Sequence, residues 1–215
     1  IMLKNVSLFA DLPEEAINAV SALATTRTFS KNTIIITEGD DSDSLYAVLS
    51  GKVKVYLSDD EGKEIIINIL SGGDYFGELA LMDDEPRSAS VMTLEESKLA
   101  VLSKTAFEDC LKKNPQVALP IIKGLSARLR NLTENVKSLA LMDVYGRVAR
   151  TLLDMAEPVG ENLVINQRLT QREIASMVGA SREMVSRILK DLSVGGYITI
   201  QNKTITINEK LPHAW

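Results

Sequence analysis

The spacing of apolar residues along the chain predicts short helices first and short strands afterwards. Residues 5–25 have helical spacing, with a helix start predicted at Asp11-Leu12-Pro13-Glu14. From about residue 27 to residue 103, short β-rich runs alternate with turn residues such as Ser50-Gly51. The predicted strands are Thr33–Thr37, Leu45–Leu49, Val53–Leu57, Glu64–Leu70, Ser88–Thr93 and Lys98–Leu102. Short strands at regular intervals predict a sandwich, jelly roll or barrel.

A long helix is predicted after Pro115, preceded by a shorter one that the capping-box pattern Thr105-Ala106-Phe107-Glu108 predicts. Along the long helix, apolar residues recur at alternating intervals of three and four: Ile122, Leu125, Leu129, Leu132, Val136 and Leu139. This set, the seam, has the a/d spacing of a coiled coil, and Arg128 and Glu134 are among its charged flanks. The alternative is an amphipathic helix lying on its own barrel, which calls for a broader stripe. The narrow seam predicts a parallel homodimer.

The C-terminal third predicts a second domain. A helix is expected over Tyr145–Ala156 and a turn over Glu157–Glu161. Near the end, Tyr197–Ile200 and Thr204–Ile207 predict a β-hairpin with Lys203 close to its tip. The hairpin would form the wing of a winged domain, and Lys203 could contact phosphate.

Between that helix and the hairpin lies the pattern of a helix-turn-helix. Thr170-Gln171-Arg172-Glu173 is a capping box that starts a first helix, Val178-Gly179-Ala180 predicts a turn, and Ser181 caps a second helix. Helices joined by a short glycine-containing turn present the second helix to the major groove of DNA. The exposed start of that helix would carry Ser181, Arg182, Glu183, Ser186 and Arg187.

Arginine and glutamate are side chains that read base edges. Arginine donates to guanine, and glutamate accepts from the amino group of cytosine. Arg182 and Arg187 are five residues apart and point in different directions, so they need not reach the same base. The alternative is a solvated helix whose Arg and Glu side chains pair with each other; the predicted wing argues against it.

Composition and charge fit this division of the chain. The 215 residues are 45% hydrophobic and 25% charged, as in ordinary globular proteins, and the net charge is −5. Residues 145–215 hold nine Lys and Arg against seven Asp and Glu, whereas residues 1–144 hold 15 against 22. A DNA partner would therefore meet the C-terminal third. The single Cys110 suits a reducing cytoplasm, and we expect neither a secretion signal nor a membrane span.

Two motifs in the β-rich region carry anion chemistry. These are Phe76-Gly77-Glu78-Leu79-Ala80-Leu81 and Pro86-Arg87-Ser88-Ala89-Ser90-Val91, together the cassette. A glycine lets backbone N–H groups approach a phosphate, which Arg87 would neutralise. Glu78 cannot bind phosphate, but it can accept a hydrogen bond from a ribose hydroxyl. A structural Glu–Arg salt bridge is the alternative for the pair.

Over essentially its whole length the sequence resembles the cAMP receptor protein family within the CRP/FNR-like transcription regulators. The resemblance rests on the cassette, on Leu139-Ala140-Leu141-Met142-Asp143-Val144, and on the run from Gly179 to Lys190. It implies an α+β fold: a cyclic-nucleotide-binding β jelly roll over residues 1–115, a dimerisation helix and hinge over 116–143, and a winged helix-turn-helix over 144–215.

The resemblance also implies a ligand, a DNA site and residue roles. Glu78 would hold the ribose 2′-hydroxyl and Arg87 the cyclic phosphate of cAMP, with help from the partner subunit for the base. The implied nucleotide-binding residues are Gly77, Glu78, Leu79, Arg87, Ser88, Ala89 and Thr133. The implied DNA-binding residues are Thr170, Arg172, Ser181, Arg182, Glu183, Arg187 and Lys203, reading TGTGA-like half-sites of a palindrome. The seam would form the dimer interface.

Two departures from the family pattern stand out. The family recognises the base with two adjacent hydroxyl residues, which fall on Leu132 and Thr133, and only Thr133 can form a hydrogen bond. The region 157–167 is a few residues shorter than in the best-known members, where a loop there contacts RNA polymerase. RNA polymerase is an expected partner, but activation and repression both stay open, as does an effector other than cAMP.

Other classes of protein fit the residues less well. An iron–sulfur sensor needs several cysteines, a haem sensor needs axial ligands in the sensor domain, and the single His213 lies near the C-terminal end. We therefore expect no metal, haem or cluster. An enzyme acting on a phosphodiester would need a general base or metal ligands beside Glu78 and Arg87. A regulatory subunit that controls a protein partner instead of DNA is the third alternative.

Overall fold

The computed structural model describes residues 3–41, 43–160, 162–166, 169–201 and 204–211. The chain forms two compact units, one of residues 1–57 and 67–130 and one of residues 58–66 and 131–215. The predicted hairpin tip residue Lys203 and His213 lie outside the described residues. No helix in the described ranges is long and apolar enough to cross a membrane.

Among the described residues, the N-terminal region contains eight strands: β1 Thr25–Phe29, β2 Ile34–Ile36, β3 Ser44–Ser50, β4 Lys52–Ser58, β5 Glu64–Ser71, β6 Tyr75–Phe76, β7 Ser90–Thr93 and β8 Ser97–Ser103. They form two four-stranded sheets, in the order β1-β8-β3-β6 and β2-β7-β4-β5. Alternation places one face of each strand inside, where Val53, Val91 and Leu99 form a core. The predicted jelly roll is confirmed, with two strands, β1 and β6, added to the predicted set.

Helices cover the outer face of the first sheet. They are α1 Glu14–Leu23, α3 Lys104–Lys113 and the start of α4 Ala118–Leu141, while the short α2 Leu79–Met82 lies within the cassette. Phe9, Phe107 and Ile121 form a second core there with Leu45 and Leu102 of the sheet. The sheet is thus buried on both faces, which fixes the positions of the loops at its edges.

The start of α3 differs from the prediction. Its N-cap is Ser103, whose hydroxyl accepts a hydrogen bond from the Ala106 N–H at 3.3 Å, so Thr105 lies inside the helix. The predicted capping box at Thr105 is therefore wrong by two residues. Ser103 is also the last residue of β8, so the strand passes directly into the helix.

The second unit contains the predicted helix-turn-helix and its wing. Its helices are α5 Val144–Met155, α6 Gln171–Val178 and α7 Arg182–Val194, and a sheet of order β11-β12-β10-β9 lies beside them. The strands are β9 Glu157–Val159, β10 Asn162–Ile165, β11 Ile198–Gln201 and β12 Thr204–Ile207. Residues 157–159 pair with β10, so the expected turn over this stretch begins as a strand. Leu152, Ile174, Val185 and Leu192 fill the core.

Candidate functional site

Gly77 lies where β6 turns into α2, at the centre of the cassette. Its φ of +86° is in the left-handed region that L side chains rarely adopt. A Cβ there would lie 2.5 Å from Nη1 of Arg87 and 3.0 Å from the carbonyl oxygen of Ser44. Glycine is therefore required both by the backbone conformation and by the close approach of the arginine.

Arg87 is buried against this glycine, with 5% of its surface exposed. Nη1 donates to the carbonyl of Gly77 at 2.8 Å and Nη2 to the carbonyl of Ser44 at 2.6 Å. The guanidinium carbon lies 5.9 Å from the centre of the Tyr46 ring. Desolvation lowers the pKa of Arg87, but an arginine remains charged at neutral pH. These contacts hold a cation in a fixed position beside a turn, which suits an anionic ligand.

Glu78 follows the turn and is 1% exposed. Its Oε1 forms an ion pair with Arg128 of α4, whose Nη2 also donates to the carbonyl of Tyr75 at 2.5 Å. Within the described part of the chain, Oε2 has no hydrogen-bond partner. Burial raises the pKa of Glu78, although Arg128, a backbone hydrogen bond and Arg87 oppose the change. A buried acceptor oxygen of this kind is available to a ligand hydroxyl.

Arg128 is a site residue that the sequence pattern places only on the charged flank of the seam. Its guanidinium carbon lies 4.9 Å from the centre of the Tyr75 ring, in addition to its contact with Glu78. Fifty residues separate Arg128 from Glu78, and the heptad spacing of α4 carries no information about that contact. The buried basic and acidic groups of the cassette could thus hold an anion and a sugar hydroxyl side by side.

The other expected nucleotide contacts are less enclosed. Ser88 is exposed and Ala89 is half-buried, while Leu79, at the start of α2, is 42% exposed. Thr133 is exposed on α4 and belongs to the second unit.

Most of the seam is exposed along α4. The exposed fractions are 57% for Ile122, 66% for Leu129, 42% for Leu132, 64% for Val136 and 43% for Leu139. Leu125 differs, because it packs partly buried against the core around Phe107. One face of a 24-residue helix thus presents aliphatic side chains to the surroundings.

The capping residues of the helix-turn-helix lie where the sequence predicts them. Thr170 Oγ1 accepts from the Glu173 N–H at 3.2 Å, and Glu173 Oε2 accepts from the Thr170 N–H at 2.6 Å, which completes the capping box. Gly179 ends α6 with a φ of +64°, and Ser181 Oγ accepts from the Met184 N–H at 3.2 Å. The turn between the helices is thereby fixed at both ends.

The recognition helix α7 has one buried and one exposed face. Val185, Ile188 and Leu189 are buried, as the sequence predicts, whereas Arg182, Glu183 and Arg187 are exposed. Arg172 is exposed near the start of α6. The three polar residues on α7 can meet base edges without leaving a buried group unpaired.

Among the described residues there is no group of three His, Cys, Asp or Glu side chains that could hold a metal ion. Cys110 is buried, and desolvation raises the pKa of its thiol.

Known proteins match both units. A family model of cyclic nucleotide-binding domains matches residues 26–114, and one of Crp-like helix-turn-helix domains matches residues 146–210. The chain is similar to a CRP-like cAMP-activated global transcriptional regulator of Mycobacterium tuberculosis, with 32% identity over 212 residues covering 97% of this chain and 95% of the relative. It is 37% identical over 181 residues to the cAMP-activated global transcriptional regulator CRP of Haemophilus influenzae, covering 80% and 79%.

A solved structure extends this comparison. The c-di-GMP responsive global regulator CLP of Xanthomonas campestris superposes with a TM-score of 0.82 at 26% identity, covering 92% of this chain and all of that one. Relatives of the same fold are thus described with different nucleotide effectors.

Proposed function

Because the chain belongs to the CRP/FNR family of transcription regulators, we propose that it is a homodimer that binds cAMP through the cassette and a palindromic DNA site through α7. The chain would consist of a sensor over 1–115, a dimerisation helix and hinge over 116–143, and a DNA-binding domain over 144–215. Contact with RNA polymerase is a further prediction from the family.

One observation carries the assignment of a sensor. The cassette holds both a buried cation, Arg87, and a buried carboxylate oxygen without a hydrogen-bond partner among the described residues, Oε2 of Glu78. Arg87 would neutralise the cyclic phosphate, assisted by Ser88 and the backbone of Gly77 and Ala89. Glu78 Oε2 would accept a hydrogen bond from the ribose 2′-hydroxyl. No enzyme reaction is proposed, since the family to which the chain belongs consists of transcription regulators.

The effector is tested by calorimetric titration of the wild type and of Thr133→Ala with cAMP and cGMP. We expect the wild type to prefer cAMP and Thr133→Ala to lose about tenfold in cAMP affinity, because a single hydroxyl would recognise the base. Equal binding of both nucleotides, or no binding, favours a regulator of this family with another effector or none. The c-di-GMP responsive relative supplies a third nucleotide to compare.

The DNA assignment rests on the exposed face of α7. In a palindromic operator with TGTGA-like half-sites, the recognition helices of a dimer would enter successive major grooves about 34 Å apart. Nucleotide binding would favour the arrangement of the hinge near Asp143 in which both helices can bind at once.

The experiment that tests it measures operator affinity by fluorescence anisotropy for the wild type and for Arg182→Ala combined with Arg187→Ala. The double variant should lose sequence discrimination, because each bidentate contact contributes about 1–3 kcal/mol. Lys190→Ala, an exposed basic residue on the same helix, serves as the matched charge control. Unchanged operator binding by the double variant would favour the regulatory-subunit alternative. If operator affinity is the same with and without saturating nucleotide, the nucleotide site and the DNA-binding surface are not coupled.

A further inference from the structure

One arginine side chain in the second unit donates hydrogen bonds to backbone carbonyls at the C-terminal ends of two helices. Arg147 lies in the first turn of α5; its Nε donates to the carbonyl of Val178 at 2.8 Å and its Nη1 to the carbonyl of Met142 at 2.9 Å. Val178 is the last residue of α6, and Met142 directly follows Leu141, the last residue of α4. Carbonyls at helix C-termini lack intrahelical partners and carry partial negative charge, so a guanidinium stabilises both ends at once.

The backbone that carries Arg147 is itself fixed. Only Met142 and Asp143 separate α4 from α5, and the Asp143 carboxylate accepts from the Gly146 N–H at 2.7 Å as the N-cap of α5. The Arg147 N–H donates to the Asp143 carbonyl at 3.1 Å. The guanidinium therefore extends from a backbone position that these hydrogen bonds hold in place.

The Val178 carbonyl lies at the start of the short turn that leads into the recognition helix. Val178 is followed by the left-handed Gly179, and Ser181, the N-cap of α7, comes two residues later. Leu139 of α4 lies beside the same turn, because its Cδ2 would be 3.3 Å from a Cβ added to Gly179. The segment that follows α4 is thus linked through Arg147 to the end of α6, and the side chain of Leu139 lies beside the turn that leads into α7.

We propose that Arg147 is a positioning residue that sets the direction of α7 relative to the end of α4. In the dimer this direction determines the distance between the two recognition helices, and hence the spacing of DNA half-sites that the protein prefers. The inference rests on the proposed function, because it concerns how the DNA-binding surface is presented. Lysine cannot replace the arginine, since its compact ammonium group lacks the planar fork that reaches two carbonyls at a fixed separation.

The test uses operators with identical half-sites whose centre-to-centre spacing is varied by single base pairs, with the full-length protein in saturating cAMP and without it. Arg147→Lys keeps the charge and removes the double contact. Arg150→Lys is the matched control on the same helix, because its ion pairs with Glu134 at 3.2 Å and Asp154 at 3.6 Å are partly exposed and can be formed by lysine. Affinity for a single half-site is measured in parallel.

We expect the wild type and Arg150→Lys to share one preferred spacing. Arg147→Lys should lose about tenfold in affinity at that spacing and less at the others, with unchanged half-site affinity, so its spacing profile flattens. An unchanged profile, or an equal loss at every spacing, would overturn the inference, as would a wild type that binds the operator with no spacing preference. A wild type that does not distinguish the operator from unrelated DNA refutes the proposed function, and this inference with it.

Discussion

Gly77 illustrates how one residue without a side chain can determine a binding site. The turn between β6 and α2 needs a positive φ, and the space of the missing side chain is occupied by the guanidinium of Arg87. Backbone strain and steric exclusion therefore act at the same position, and a second glycine of the chain allows them to be separated. Gly62, in the hairpin turn after Asp59, has a φ of +76°, and a Cβ at this position would have none of the described atoms within 4 Å.

We predict that Gly77→Ala destabilises the fold and abolishes tight nucleotide binding, whereas Gly62→Ala affects stability alone. Alanine at a positive φ costs about 1–2 kcal/mol at either position. At Gly77, displacement of Arg87 and overpacking add about 1–3 kcal/mol. Chemical denaturation and nucleotide titration of both variants check this. Equal stability losses, with affinity preserved in both, would mean that the close approach of Arg87 has no energetic consequence.

Glu78 predicts a pH dependence of nucleotide binding. Burial raises the pKa of this carboxyl, and the ionised form is the one that accepts from a ribose hydroxyl. Nucleotide affinity should therefore be full at neutral pH and fall as the pH drops through the raised pKa, at a higher pH than for an exposed carboxylate. The effect of Glu78 on the stability of the unliganded protein has the opposite pH dependence. Because its pKa is raised in the folded state, protonation at low pH stabilises the folded protein, and this stabilisation is lost as the pH rises through the raised pKa.

The measurement is cAMP titration between about pH 7 and about pH 5 for the wild type and Glu78→Gln. The glutamine variant should bind more weakly throughout and with a flatter pH profile, since its amide does not titrate. Parallel pH profiles in the two proteins would assign the dependence to another group.

Residue chemistry in the cassette could be predicted from local sequence, but the role of Arg128 could not. Gly77, Glu78 and Arg87 lie within eleven consecutive positions, so their pattern is visible without a structure. Arg128 reaches Glu78 only because α4 packs beside the sheet, which is a tertiary contact between distant segments. A charged residue flanking an apolar seam fits a solvated flank equally well, so its partner could not be inferred.

At the scale of single elements, helix caps were predicted well where a turn precedes the helix and poorly where a strand does. Thr170 and Ser181 follow loops, and both cap their helices as predicted. At α3 the chain passes from β8 into the helix without a loop, and Ser103 caps it instead of Thr105. The strand β1 escaped prediction because its sequence TTRTF lacks aliphatic residues, and β6 because it has only two residues.

The cap of α3 gives a direct test of this reassignment. Ser103→Ala should lower the free energy of unfolding by about 1 kcal/mol, because the Ala106 N–H loses its acceptor. Thr105→Ala should leave stability nearly unchanged or raise it slightly, since Thr105 is exposed within the helix and alanine has the higher helix propensity. Urea denaturation measures the free energy of unfolding of the two variants. A larger loss for Thr105→Ala than for Ser103→Ala would favour the capping box that the sequence predicts at Thr105.

At the scale of the whole molecule, the α+β class and the order of its parts could be predicted because the periodicity of the apolar residues changes between them. Runs with alternating apolar residues predict the sheets, and the heptad spacing of the seam predicts α4. The N-cap residues Thr170 and Ser181 predict the two helices of the helix-turn-helix. The heptad spacing alone does not determine whether two chains associate, because association also requires that the apolar seam be exposed on the surface of the single chain. The exposure of the seam in a single chain is the observation from which the homodimer can be tested.

We predict that Val136→Glu converts the protein to a monomer and that Leu141→Glu does not. Both residues are strongly exposed on α4, 64% and 76%, but Val136 belongs to the seam and Leu141 lies on the opposite face of the helix. A glutamate in the seam would bury two like charges across a coiled coil, which should weaken the dimer at least about tenfold. Sedimentation velocity gives the oligomeric state.

Operator titrations then connect assembly to DNA binding. A monomer can engage one half-site at a time, so Val136→Glu should lose the gain in affinity that a palindrome gives over a single half-site. Its affinity for the single half-site should match that of the wild type, because Val136 is exposed on α4 and is not part of the core that supports α7. If both glutamate variants remain dimeric, the seam is not the interface; if both dissociate, the loss reflects a damaged helix rather than a specific seam.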